Sequence, residues 1–351
     1  MRVLLLTLAA TVCASLFAQA PADDPQALVQ GLMSDDAATR VAAEAAAVKL
    51  GAPMVGPLCD LMAAGDTRSV TVAERALFAI AAAATRSGSA AERGPMVDAL
   101  YAASMGDGAD RARVSATALL GIVGGAAAAT VLGSALTDPV THEASRTALE
   151  RMEHPEATRV LCAHWQDAPV DKQPACLLSI GARRDPAALD MLLAHVKHSP
   201  DGYVFGLYYL AGIDALGMIG GGRAAVRLSE VATETGSSAQ ERAVGALIAL
   251  ADAEQQRGGD LARRCYRRAY DYAVTPAQKT AALMGLADTD PSMRIQWLLK
   301  GLGEAHSRRL AYAELLKVDP ADLAGPLSQR LQEAEGEELE ALQALAEAKG
   351  D

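Results

Sequence analysis

From about residue 26 onward, apolar positions recur three and four residues apart in short runs, and the runs are separated by breaks rich in Asp, Pro and Gly. That spacing is the period of an α-helix, not the strict alternation of a strand. The runs fall into pairs, predicting helices at 26–33 with 39–50, 54–63 with 70–84, 94–104 with 110–123, 127–136 with 142–152, and 156–166 with 171–180. The series continues at 186–196 with 203–219, 223–234 with 239–253, 259–273 with 276–287, 291–301 with 306–317, and 320–333 with 336–348. This amounts to about ten helical hairpins with a repeat near 33 residues. A lone hairpin leaves an apolar stripe uncovered, so each must stack on its neighbours. The expected architecture is all-α, a right-handed α-solenoid of about ten stacked antiparallel helical hairpins.

The breaks carry their own physical signals. Asp-Pro dipeptides stand at 24–25, 138–139, 185–186, 290–291 and 319–320. There Asp can accept from free amides of a first turn, and Pro occupies a position whose N–H has no helical partner. Gly51, Gly124, Gly181 and Gly220 each follow an apolar helix, as a left-handed C-terminal cap requires.

Two second helices, RVAAEAAAVKLG at 40–51 and RVSATALLGIVGG at 113–125, align without gaps. An apolar first helix, a turn holding Asp (Ser34-Asp35-Asp36), then Arg40 and an Ala/Leu-rich second helix together resemble HEAT-type repeats, over about 25–340. The resemblance implies an armadillo-like helical array used for binding proteins. The segment LARRCYRRAYDYA at 261–273 is similar instead to a tetratricopeptide helix, so tetratricopeptide-like units near 259–287 are expected within the array. The last pair, 320–351, crowds Glu333, Glu335, Glu337, Glu338 and Glu340 into its turn. A terminal repeat needs such a polar outer face, and an acidic docking turn is the sharper alternative.

Composition narrows the picture. Only 4% of the 351 residues are aromatic while 51% are hydrophobic, a balance poor in the bulky residues that sheets favour. The leading segment MRVLLLTLAATVCASLFAQA has one Arg, an apolar run and then small residues, the layout of a signal peptide spanning 1–18, with cleavage near Ala18 or Ala20. The mature domain is then 19–351, periplasmic or extracellular. Val12 before Cys13 is too large for a lipid-attachment site, so no lipid anchor is expected. Loss of Arg2 with the leader moves the balance of 32 basic and 43 acidic residues from −11 to −12. Such a surface repels nucleic acid and anionic lipid, and no integral membrane span is expected.

Chemical signatures are sparse. Cys59, Cys162, Cys176 and Cys265 form no CxxC pair; they read as small buried hydrophobes, with a 162–176 bridge as the alternative in an oxidising compartment. His195 and His198 lie three apart on one helical face, with Asp190 and Asp201 as further oxygen donors, but a histidine pair at a helix C-terminus also answers the helix dipole. No nucleophile elbow or phosphate loop occurs, and no catalytic residue, metal site or cofactor is assigned.

Two patches point to a protein partner. Arg263, Arg264, Arg267 and Arg268 concentrate positive charge in an acidic chain. At about 100° per residue they fall opposite Leu261, Ala262, Cys265, Ala269 and Tyr272, with Tyr266 and Tyr270 alongside them. They read either as a docking face for a carboxylate-rich partner or as arginine stems paired with Glu230, Glu234 or Glu254. Tyr203, Phe205, Tyr208 and Tyr209 form the second patch, read either as an interface or as packing between helices. The expected function is that of an exported, non-enzymatic scaffold or adaptor. A metal- or small-molecule-binding enzyme, or enzyme subunit, on the same helices is the alternative.

Overall fold

The computed structural model describes residues 24–86, 90–197, 203–234, 236–257 and 260–350, without the side chains of Ala90 and of 203–205. The leader, Cys13, His198 and Asp201 lie outside the described residues. Among those described, the chain is all-helical, with twenty α-helices and no strand. It divides between Val170 and Asp171 into two compact units.

The first unit holds α1 (Pro25–Met33), α2 (Ala37–Leu50), α3 (Val55–Ala63), α4 (Thr67–Ala84), α5 (Ala90–Met105), α6 (Asp110–Val123), α7 (Gly125–Ala135), α8 (His142–Arg151) and α9 (Glu156–His164). Helices α1, α3, α5 and α7 each pack on their own second helix and on the next first helix, so α1, α3, α5, α7 and α9 form one contiguous row. The second helices α2, α4, α6 and α8 form the other. Leu58, Leu77, Ile80, Leu100, Leu120, Leu132 and Leu149 fill the space between the rows. On the outer side, ion pairs Glu44–Arg75 (2.6 Å) and Glu74–Arg111 (3.0 Å) join α2 to α4 and α4 to α6.

The second unit holds α10 (Gln173–Ala182), α11 (Leu189–His195), α12 (Tyr203–Ile219), α13 (Gly221–Val231), α14 (Ser238–Gln255), α15 (Asp260–Tyr272), α16 (Pro276–Thr289), α17 (Arg294–Gly303), α18 (Arg308–Leu315), α19 (Pro320–Glu333) and α20 (Gly336–Gly350). Here α10, α12, α14 and α16 pack in sequence, and α11, α13 and α15 line up beside them. At the chain's end, Glu337 pairs with Arg308 (2.9 Å) and Glu338 with Arg330 (2.6 Å), which ties the acidic turn back onto α18 and α19.

The helix ends follow the capping logic with instructive exceptions. Asp24, Asp185 and Asp319 accept from the amides of Gln26, Ala187 and Ala321, as the Asp-Pro signal implies. At Asp138-Pro139 and Asp290-Pro291 a turn intervenes, and α8 and α17 begin only at His142 and Arg294. Asp138 still caps the amides of Val140 and Thr141, at 2.8 and 3.2 Å. Gly51, Gly124 and Gly220 end their helices with φ of 72°, 67° and 78°. Gly181 does not end its helix; it lies within α10, against Ala215 of α12. The left-handed turn falls instead at Arg184, with φ of 52°.

Arginine recurs at the joints. Arg40 donates to the carbonyls of Ser34 and Asp35 (2.9 and 2.7 Å), Arg113 to that of Ser104 (3.0 Å), and Arg308 to that of Leu302 (3.0 Å). The last carbonyls of a helix have no intrahelical donor, and a guanidinium reaching back from the next helix supplies several.

Candidate functional site: a groove between α13 and α15

Helix α15 is strongly amphipathic, and packing decides what each of its side chains does. Ala262, Cys265, Tyr266, Ala269 and Tyr270 are buried. The two tyrosines therefore do not stand beside the arginines at the surface as the helical wheel suggested. The Tyr266 hydroxyl donates to Asp252 (2.5 Å) and Gln255 (3.2 Å) of α14, and its ring fills the notch left by Gly285 of α16. The Tyr270 hydroxyl donates to Glu304 (2.5 Å). Burial first, then these carboxylate acceptors, push both phenols well above the ordinary tyrosine range. Large amphipathic rings can cover a wide arc of a helix, which the apolar stripe alone did not reveal.

The four arginines separate into two kinds. Arg263 pairs with Asp260 at 2.8 Å and reaches Asp290 at 3.6 Å. Arg267 lies 4.9 Å above the Trp297 ring and 3.7 Å from Asp271. Arg264 and Arg268 are exposed and make no hydrogen bond or ion pair among the described residues. Two of the acids available to neutralise them are taken elsewhere: Glu230 pairs with Arg227 (2.7 Å), and Glu254 with Arg257 (2.6 Å). Glu234 lies toward the buried Tyr209 phenol, whose proton is held above its ordinary range by burial and then by that carboxylate.

Arg264 and Arg268 face an open groove of about 780 Å³ between α13 and α15. They are one helical turn apart, so their stems run side by side, with heads about 6 Å apart along the axis. Opposite them α13 presents Ala225, Val226 and Ser229, with Val226 62% exposed, and Glu230, whose carboxylate is held by Arg227. Leu261 and Cys265 complete the floor. Arg227 is no part of the open charge, because it donates to the carbonyls of Val196 (2.6 Å) and Lys197 (2.9 Å) at the end of α11. The groove offers an apolar wall and two unspent guanidiniums, which suits a carboxylate-bearing chain with a small apolar side chain.

The other sequence candidates are placed differently. Tyr209 is buried and Tyr208 half-buried; the side chains of Tyr203 and Phe205 lie outside the described residues. His195 donates from Nε2 to the Tyr208 carbonyl at 2.9 Å, which commits that nitrogen's proton and removes its lone pair from metal binding. Among the described residues no three His, Cys, Asp or Glu side chains come close enough to hold a metal ion, and no single helix is long and apolar enough to cross a membrane. Burial pushes the Cys265 thiol up to about 11, as it does that of Cys59.

Sequence reasoning missed Lys300 and Trp297. Lys300 extends 4.6 Å from the Tyr270 ring and 5.4 Å from Trp297, without an ion-pair partner among the described residues. A lone lysine on α17 carries no local signal; only the apposition of α15 and α17 brings it beside the arginines.

No protein-family model matches the chain, and no curated protein matches it.

Proposed function

We propose that the chain is an exported, non-enzymatic scaffold or adaptor whose helical hairpins stack into a right-handed α-solenoid and hold a protein partner along their surface. The observation that carries this reading is the pair Arg264 and Arg268, two uncompensated guanidiniums beside an exposed apolar wall in a chain of net charge −11. The acidic net charge disfavours non-specific polyanion binding, while two unpaired arginines in one groove favour a shaped, carboxylate-bearing partner. Close packing of successive helices within each unit supports the solenoid, and the leader-like first eighteen residues support export.

A photocrosslinking amino acid at Val226, in the protein expressed in its native cells, tests the reading. A discrete protein adduct that disappears in R264E/R268E, with none from the same probe at exposed Val41, is the expected result. No adduct at Val226, or one unchanged by the charge reversal, overturns it. Export is tested by N-terminal sequencing of protein recovered outside the inner membrane: a start near Gln19 is expected, and an intact Met1 would refute it.

A further inference from the structure

The basic groups of the second unit form a track that is wider than the groove. Arg264 and Arg268 lie on the α13 side of α15. Arg267 lies on its other flank, over Trp297 of α17. Lys300 follows on α17, above the Tyr270 and Trp297 rings, and lines a second open pocket of about 570 Å³ between α17 and α19. The Tyr270 and Trp297 rings meet edge to face at 5.8 Å and are largely buried beneath these cations. Positive charge thus passes from one pocket to the next, across the helices and not along one of them. Lys279, the other cation near these rings, is already compensated by Glu304 at 3.5 Å.

From this we infer that the track binds an extended acidic peptide segment of the partner, lying across α15 and α17 with carboxylates directed to Arg264 and Arg268 at one end and to Lys300 at the other. Packed helices stand about 9 Å apart, and an extended chain advances about 3.3 Å per residue. Acidic residues about three apart therefore meet successive helices. The arginine fork accepts a carboxylate bidentately, while Lys300 acts as a point charge. This inference rests on the proposed scaffold function and gives its partner a chemistry.

The test uses the full chain carrying Trp165→Phe, which leaves Trp297 as its one tryptophan. Fluorescence of Trp297 and anisotropy of a labelled peptide with Glu at every third position are read together, against peptides with Gln or Lys in place of Glu. Binding of the Glu peptide alone, with a change in Trp297 emission, is expected. R264E/R268E and, separately, K300E should each weaken it by about tenfold or more. Weakening by R264E/R268E without any effect of K300E overturns the crossing geometry. Equal binding of a single-stranded oligonucleotide of matched charge overturns the acidic-peptide assignment in favour of a general polyanion. If the Glu peptide fails to bind while the Val226 adduct forms in cells, the scaffold reading stands and this inference falls; loss of both removes both.

Discussion

A Cβ placed on Gly181 would lie 2.5 Å from the Cα of Ala215, so α10 and α12 touch backbone to backbone where this glycine sits. Gly217 repeats the device one helix further on, where a Cβ would meet the Cβ of Ala246 at 2.8 Å. Contact this close leaves no flexible side chain to move aside. Gly181→Ala is expected to lower stability by about 1–3 kcal/mol despite the better helix propensity of alanine. Gly206→Ala, in open space on the same α12, should instead raise stability by up to about 1 kcal/mol. Chemical denaturation of the two variants checks the contrast; equal effects would mean that the notch is not there.

The Arg113 guanidinium bridges Asp138 and the Ser104 carbonyl, joining α5, α6 and the turn after α7. Both partners of the ion pair are largely shielded, with side-chain exposures of 14% and 22%. Arg113→Met is expected to cost about 2–3 kcal/mol, because it strands a carboxylate and a helix-end carbonyl. Arg113→Lys should recover only part of that, since an ammonium cannot serve both acceptors in the same plane. Full rescue by lysine, seen as a restored thermal midpoint, would contradict the forked bridge.

Tyr266 and Tyr270 should make the second unit sensitive to alkali. Their phenols are raised above the ordinary value of 10.0, by burial first and then by Asp252 and Glu304. A raised acid stabilises the folded state fully below its unfolded pKa, and that contribution is lost as pH climbs from about 10 toward the folded value. The thermal midpoint should therefore fall above pH 10, and the fall should shrink in Tyr266→Phe and Tyr270→Phe. A midpoint flat through this range, with tyrosinate absorbance appearing at the ordinary pH, would refute it.

The thiols of Cys59 and Cys265 should be inert. Burial raises both to about 11, so thiolate is scarce at neutral pH, and Cys265 is only 2% exposed. Neither should react with a maleimide or an aromatic disulfide in the folded chain, and both should do so promptly in denaturant. Peptide mapping of the labelled sites distinguishes them from Cys162 and Cys176; prompt native-state labelling of Cys265 would mean that the groove floor opens.

Local order was written plainly in the chain. The 3.6-residue period of apolar positions, with Asp before it, places helices such as Pro25–Met33 and Pro320–Glu333 within a residue or so of where they stand, because capping and amphipathicity are properties of neighbours in sequence. The arginine cluster on α15 was legible for the same reason. What only tertiary structure decided is how each residue is spent. Gly181 reads as a cap and serves as a contact, because its role depends on Ala215, thirty-odd residues away. Tyr266 and Tyr270 read as surface and are core, because Asp252, Gly285 and Glu304 receive them. Arg263 and Arg264 are adjacent and chemically identical, yet one is neutralised and the other left open; that difference comes from Asp260, Asp290 and the competing pair Arg227–Glu230, which only folding brings within reach.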